Sequence, residues 1–203
     1  MVTTEQAHSG HYGLKLSIDT RGPVRAGVRM TREKEYQQVP RGAYFSVWYY
    51  LPQAVQAPEW WNIFQFKAKT APGRPAEPFW SINIGNRPDS GAMYLWVDNK
   101  DGAPQPKAQY RSPLTRLDIP VGRWWHLEAY MERTASYDGH LTIWQDGVKL
   151  YDFTGVRSTY PGGLVEWTVN NYADDLSPAP TTLYIDDAAI STAQLGPGQH
   201  PDD

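Results

Sequence analysis

The stretch Asn62-Ile63-Phe64-Gln65-Phe66-Lys67-Ala68-Lys69 alternates along its length and decides the fold class. In an extended strand, successive side chains point to opposite faces, so Phe64, Phe66 and Ala68 share one side. The other side then carries Ile63, Gln65, Lys67 and Lys69. Phenyl rings on one face require a core, whereas an amide and two ammonium groups favour solvent or an anionic ligand. The stretch therefore predicts a strand with one buried and one open face.

Similar alternation recurs between turns that are rich in glycine and proline, of which there are 17 each. Further predicted strands include His11–Asp19, with Tyr12, Leu14, Leu16 and Ile18 inward, and also Val24–Met30, Ala43–Leu51, Trp80–Ile84, Trp125–Arg133, Val165–Tyr172 and Thr181–Ile190. Asp146-Gly147 and Tyr137-Asp138-Gly139 are hairpin signals. About a dozen short strands predict an all-β fold, an antiparallel two-sheet β-sandwich with a concave ligand-binding face.

Length and composition narrow the possibilities further. The 203 residues suit a single domain over residues 1–195, and the Pro/Gly/Asp-rich residues 196–203 are predicted to be a disordered tail. The absence of cysteine excludes disulfides, and a net charge of -3 gives no electrostatic case for binding nucleic acid or a membrane surface. No positively charged segment followed by an apolar run precedes the first predicted strand. We expect an extracellular protein whose signal peptide has been removed, acting as a monomer or as a module of a larger secreted protein.

The aromatic residues are mostly those with a polar tip, since 9 Trp and 13 Tyr stand against 5 Phe. Such rings favour surfaces with one dry and one wet side, and sugar rings offer a matching surface. We expect Trp48, Tyr50, Trp96 and one of Trp60 or Trp61 to line a groove. The alternative is that these rings simply fill the core of an aromatic-rich sandwich.

Several segments resemble those of a known family. Val121-Gly122-Arg123-Trp124, the stretch from Asp138 to Gly147, and Leu183-Tyr184-Ile185-Asp186-Asp187 resemble the concanavalin-like, laminin-G-like jelly roll. The resemblance covers about Ser9–Ile190. Among proteins of this fold, the chain more specifically resembles the heparin lyase I, glucuronan lyase and alginate lyase group of polysaccharide lyases.

Three strands carry the narrower resemblance. Arg25-Ala26-Gly27-Val28-Arg29 keeps both arginines of an Arg-x-Glu-x-Arg pattern but has glycine in place of the glutamate. Gln65-Phe66-Lys67 has lysine where the family has histidine in Gln-x-His, and Asn170-Asn171-Tyr172 matches a late strand that ends in tyrosine.

The resemblance implies β-elimination on a uronate-containing polysaccharide. This chemistry requires neutralisation of the sugar carboxylate, a base for the C5 proton and an acid for the departing oxygen. The implied catalytic residues are Tyr172, as acid and base, with Gln65, Arg25 and Lys67. The implied substrate-binding residues are Arg29, Trp48, Tyr50, Trp60, Trp61, Lys69, Asn83, Trp96 and Asn170. No cofactor is expected for the chemistry.

Three alternatives remain open. The missing histidine and glutamate favour a non-catalytic carbohydrate-binding module, and the frame motifs also occur in adhesion domains of the laminin-G type. Taken singly, the arginines and lysines fit solvated strand faces, and Tyr172 fits a cap on the core.

Two acidic positions suggest a metal. Glu5, near the Ser9-Gly10 turn, and Asp187, in the last strand, resemble the structural calcium site of jelly-roll modules, and oxygen ligands suit Ca²⁺. His126, Glu128 and Tyr130 share one strand face; we interpret them as a solvent-facing set rather than as a metal or acid–base site.

Overall fold

A computed structural model describes residues 1–22, 25–34, 40–100, 110, 112–161 and 165–198 of the chain. Within these residues twelve β-strands are present: β1 (Val2–Thr3), β2 (Gly13–Ile18), β3 (Ala26–Lys34), β4 (Gly42–Tyr50), β5 (Trp61–Ala68), β6 (Glu77–Asn86), β7 (Met93–Asn99), β8 (Trp124–Glu132), β9 (Gly139–Gln145), β10 (Val148–Val156), β11 (Val165–Ala173) and β12 (Thr181–Ser191). In the described segments, no helix is long and apolar enough to cross a membrane.

The strands form two antiparallel sheets, which confirms the predicted sandwich. The seven-stranded sheet has the order β1-β2-β12-β4-β8-β9-β10, and the five-stranded sheet has the order β3-β11-β5-β6-β7. Sequence neighbours β2 and β3 lie in different sheets, as do β4 and β5. The chain therefore crosses repeatedly between the layers, which is typical of a jelly roll.

The core lies between the sheets and is built from the inward positions of the alternating strands. Phe45 of β4 meets Phe66 of β5 edge to face, with ring centroids 4.9 Å apart. The buried Tyr49 hydroxyl crosses the same space and donates a hydrogen bond of 2.8 Å to the carbonyl of Ile63. Each buried ring of this kind contributes about 2–3 kcal/mol through removal of apolar surface from water.

A bulge in β5 changes the faces that simple alternation predicts. Asn62 pairs with Asn83 and Phe64 with Ile82, so Ile63 is an extra residue between two register positions. The prediction that Ile63 shares a face with Gln65 is therefore wrong: Ile63 is fully buried. Because the bulge reverses the parity, Asn62 lies on the same outer face as Gln65.

The Asp146-Gly147 hairpin is confirmed between β9 and β10. Both residues have positive φ, 50° and 77°, as a tight two-residue hairpin requires. Tyr12 was predicted to point inward, but it is 63% exposed, because β2 begins only at Gly13.

Parts of three predicted segments lie outside the described residues. These parts are Val24, much of the loop predicted over residues 99–113, and residues 199–203 of the tail. In the described part of the tail, the backbone N–H of Gly196 donates to the carboxylate of Glu128 at 3.2 Å.

Candidate active site

A groove of about 320 Å³ lies on the outer face of the five-stranded sheet. Its described lining is rich in amides, aromatic rings and hydroxyls, and consists of Arg25, Trp60, Asn62, Gln65, Pro78, Ser81, Asn83, Trp96, Asp98 and Tyr172. Other crevices run between the sheets along β3 and β12, but their lining is mainly apolar, with Met30, Trp167 and Ile190. The groove is therefore the place where acid–base chemistry on a sugar is feasible.

Strand register arranges the groove residues in two rows across the sheet. One row contains Thr168, Gln65, Ser81 and Asp98, which are paired from β11 through β5 and β6 to β7. The other row contains Tyr172, Asn62, Asn83 and Trp96. Gln65 and Tyr172, which are distant in sequence, are thereby brought to adjacent strands. Gln65 lies opposite Thr168, four residues before Tyr172 along β11, which corresponds to about 13 Å.

The Tyr172 side chain is surrounded by cationic and aromatic groups. Arg25 Nη1 donates to the Tyr172 hydroxyl at 3.5 Å, and Arg29 Cζ lies 5.1 Å from the centroid of the tyrosine ring. The ring of Trp60 packs edge-on at 4.7 Å. The hydrogen bond to Tyr172, followed by electrostatic attraction to Tyr172 and Asp174, raises the pKa of Arg25. One positive charge thus lies at the hydroxyl and a second lies over the ring, where they can also bind a sugar carboxylate.

Gly27 explains how the tyrosine reaches this position. Gly27 pairs with Tyr172 across β3 and β11, and a Cβ atom at Gly27 would overlap the tyrosine ring. Gly27 occupies the position of the glutamate in the Arg-x-Glu-x-Arg pattern. The Tyr172 ring therefore lies over the space that a glutamate side chain would fill at this position.

The floor of the groove is a network of buried amides. Gln65 Nε2 donates to Ser81 Oγ at 2.9 Å. Asn62 Nδ2 donates to Asn83 Oδ1 at 3.1 Å, and Asn62 Oδ1 accepts from Asn170 Nδ2. Asn170 is fully buried and is not part of the groove lining, so it orients Asn62 instead. Such networks hold amides in one orientation, and preorganised amides can donate to a developing oxyanion.

Asn62 and Ser81 are floor residues that were not among the predicted site residues. Ser81 alternates with Trp80 and Ile82 in the same strand as the selected Asn83, so the polar face of that strand already contained the signal. Strict alternation would place Asn62 on the face of Phe64, and no local feature of the sequence marks the bulge.

Lys67 and Lys69 do not line the groove. Their Nζ atoms lie 3.4 and 3.0 Å from the carboxylate of Glu166, and both side chains are only 13% exposed. Lys67 is also opposite Glu166, six residues before Tyr172 along β11, which corresponds to about 20 Å. The Gln-x-His resemblance implied that Lys67 and Tyr172 lie together, but the structure keeps them apart.

Three of the predicted stacking aromatics lie elsewhere. Trp61 is fully buried and donates from Nε1 to Asn171 Oδ1 at 2.8 Å, so it cannot contact a polysaccharide. Trp48 and Tyr50 lie on β4, in the seven-stranded sheet, and point away from the core. The expected grouping of these rings in one groove is wrong, because the two sheets expose opposite outer faces. Trp60 and Trp96 do line the groove.

Glu5 and Asp187 are both engaged by other side chains. Glu5 pairs with Lys15 at 2.7 Å and accepts from the Tyr184 hydroxyl at 2.6 Å. Asp187 lies 2.6 Å from His8 Nδ1 and accepts from Ser9 Oγ at 2.7 Å. The residues that the structure describes include no cluster of three or more His, Asp or Glu side chains suited to a metal ion. The calcium site stays a prediction.

The face formed by His126 and Glu128 is not solvent-facing, contrary to our interpretation. His126 and Glu128 are 1% and 0% exposed. Glu128 accepts backbone hydrogen bonds from Leu195 and Gly196, at 2.8 and 3.2 Å, because the C-terminal segment crosses the sheet at this point. Glu128 therefore has a structural role in docking that segment, whereas His126 Nε2 lies 2.6 Å from Ser46 Oγ.

Comparisons with known proteins agree with the fold. The family model described as polysaccharide lyase matches residues 1–189. The endo-β-1,4-glucuronan lyase of the fungus Trichoderma reesei is similar in structure, with a TM-score of 0.72 and 17% identity over 98% of this chain and 90% of that chain. The marine PL-14 alginate lyase from Aplysia kurodai has a TM-score of 0.62 and 12% identity over 95% and 86%.

A cellulose-induced protein is also similar, with a TM-score of 0.58 and 18% identity over 97% of this chain and 87% of that chain. No curated protein matches the sequence. At these identities, the structural likenesses establish the fold.

Proposed function

Because the chain belongs to the polysaccharide lyase family, we propose that its groove binds a uronate-containing polysaccharide and cleaves it by β-elimination. The observation that supports this proposal best is the meeting of Arg25, Gln65 and Tyr172 in one groove. Similar structures are named as lyases of glucuronan and alginate, which fits a uronate substrate.

The groove residues have different roles in the proposed reaction. Arg25 and the amide of Gln65 bind the carboxylate and stabilise the negative charge that moves onto it when C5 loses its proton. The Asn62 amide donates to Ile82 and Asn83 and holds the floor of the groove in place. The Tyr172 oxygen, as phenolate, takes that proton and returns it to the departing glycosidic oxygen. The C4–O4 bond breaks, a C4=C5 double bond forms, and the products are an unsaturated uronate and a free hydroxyl.

A single proton-transferring residue restricts the stereochemistry of the sugar that can be cleaved. Among the described lining residues, Tyr172 is the one phenol, and Asp98 lies two strands beyond Gln65. If Tyr172 handles both protons, the C5–H and C4–O4 bonds must lie on one side of the ring. Glucuronate and mannuronate meet this condition, whereas galacturonate, guluronate and iduronate do not. We therefore place 4-linked glucuronate or mannuronate polymers first.

One observation favours the alternative of a non-catalytic carbohydrate-binding module. The family histidine is replaced by Lys67, and that lysine is paired with Glu166 outside the groove. In this alternative, the groove holds the same acidic polymer without cleaving it. Either activity requires access to a polymer outside the cell, so we place the protein there, as a monomer or as a module of a larger secreted protein.

Tyr172→Phe tests the proposal because it removes a hydroxyl and little packing. Wild type incubated with polyglucuronate and polymannuronate should develop the ultraviolet absorbance of the unsaturated uronate. Tyr172→Phe should lower the rate about a hundredfold to ten-thousandfold, the usual contribution of general acid–base catalysis. Polymer affinity, followed by tryptophan fluorescence, should change little.

Tyr50→Phe is the matched control, since it removes a tyrosine hydroxyl on the other sheet, and it should retain full activity. Full activity of Tyr172→Phe would refute its catalytic role. Wild type that binds these polymers without forming product would establish the binding module instead.

A further inference from the structure

The groove carries opposite charges at its two ends. Arg25 and Arg29 lie on the β3 side, around Tyr172, and Asp98 lies on β7 at the far side. The Asp98 side chain is exposed, and within the described part of the chain no hydrogen bond or ion pair neutralises it. Its cross-strand neighbour on β6 is Ser81, which is uncharged.

The position of Asp98 excludes it from the proton transfers. Asp98 is in the row of Gln65 but two strands farther on, a separation of about 10 Å. A sugar whose carboxylate is held between Arg25 and Gln65 therefore does not reach Asp98, but a neighbouring sugar farther along the same polymer does.

A carboxylate at the β7 end acts differently on the two kinds of sugar. A uronate carboxylate beside Asp98 is repelled, and like charges brought together in an interface are strongly unfavourable. The hydroxyl of a neutral sugar can instead donate a charge-assisted hydrogen bond to Asp98. Rejection through an unfavourable contact is a common source of specificity.

We propose that Asp98 makes the β6–β7 end of the groove a subsite for a sugar without a carboxylate. The preferred ligand is then a polymer in which uronates are interrupted by neutral sugars, rather than a continuous polyuronate. This inference rests on the proposed binding of a uronate polymer in the groove, and it names Asp98 as a specificity-determining residue.

The test compares two polymers with one backbone: polyglucuronate and partially carboxyl-reduced polyglucuronate, in which some units have become glucose. Affinity is measured by retardation in gels that contain each polymer, and turnover is measured by ultraviolet absorbance per uronate. Wild type should prefer the reduced polymer, and Asp98→Asn should gain about threefold to tenfold in affinity for full polyglucuronate and lose the preference. The gain should shrink at high salt, because salt screens exposed charges.

Asp19→Asn is the matched control, since Asp19 is an exposed aspartate that pairs with Arg21 and does not line the groove. It should leave the preference of wild type unchanged. The inference is overturned if Asp98→Asn keeps the wild-type preference, if it gains equally on both polymers, or if wild type has no preference.

The two readouts separate the inference from the proposed function. A preference in binding that depends on Asp98, without product from either polymer, would support the subsite and refute the lyase. Product from both polymers with no effect of Asp98→Asn would support the lyase and refute the subsite. Absence of binding to either polymer would overturn both.

Discussion

The two outer faces of the sandwich carry similar kinds of residues, but among the described residues the groove with Arg25 and Tyr172 lies on the face of the five-stranded sheet. On the seven-stranded sheet, the ring of His8 stacks on Trp48 with centroids 3.7 Å apart, and Asp187 holds the histidine in place. The C-terminal segment is tied to Glu128 on that same sheet.

The difference shows that alternating aromatic and polar residues do not by themselves identify a ligand surface. The ring of His8, from the N-terminal segment, stacks on the outer face of Trp48, whereas Trp60 packs against Tyr172 and still lines a groove. A polar-tipped aromatic face is a candidate binding site only where no other segment of the chain covers it.

The first prediction, with the largest expected effect in this comparison, concerns the outer face of the seven-stranded sheet. We call it the covered face, and the expected effect is on the stability of the folded protein. Burial, with a smaller contribution from nearby His8, lowers the pKa of His126 to about 4 from its usual 6.5. The unfolded chain then binds the proton more readily than the folded chain, so stability is present above pH 6.5 and is lost as the pH falls towards 4. The loss should approach about 3 kcal/mol in the free energy of unfolding.

Urea unfolding of wild type and His126→Gln between pH 4 and 7.5 measures this effect. The variant should lack that part of the pH dependence, and His11→Gln, at an exposed histidine, should retain it. Equal slopes for wild type and His126→Gln would show that the face is open to water and would break the contrast between the two faces.

The next effect concerns the packing of Tyr172 in the groove. Gly27→Ala places a methyl group where the tyrosine ring lies, so the hydroxyl must move away from its position beside Arg25. Small misplacements of a reacting group can lower the rate up to about a hundredfold. Steady-state kinetics on the active polymer should show a fall in kcat with a smaller change in KM.

Gly22→Ala is the control, because a Cβ at Gly22 meets no atom within 4 Å. Introducing Gly27→Ala into Tyr172→Phe should cost little further activity if Gly27 acts through the hydroxyl. Unchanged kcat in Gly27→Ala alone would show that the position of the ring does not matter.

The smallest effect concerns the amide floor. Ser81→Ala removes the acceptor of the hydrogen bond from Gln65, which is worth about 1 kcal/mol, so kcat/KM should fall by roughly fivefold. Ser17→Ala, which removes an exposed hydroxyl paired with Thr182 on the other sheet, should have no effect on turnover. Equal activity of the two variants would indicate that Gln65 holds its orientation without Ser81.

Much of the fold followed from the sequence because strand alternation is a local property. Phe64 and Phe66 face the core as predicted, and the Asp146-Gly147 turn joins two strands as predicted. Tyr172, Gln65 and Arg25 were selected from three separate strands through their resemblance to a family pattern, and the structure brings them into one groove. For these features, residue type and spacing carried enough information.

The remaining features depend on contacts between residues that are far apart in sequence. The bulge at Ile63 is set by the register of β5 against β6 and β11, and it alone brings Asn62 into the groove. The assignment of Trp48 to the covered face depends on the sheet that β4 joins, and the pairing of Lys67 depends on Glu166, 99 residues away. Local sequence determines which side chains can share a face, whereas tertiary packing decides which faces meet and which segments cover them.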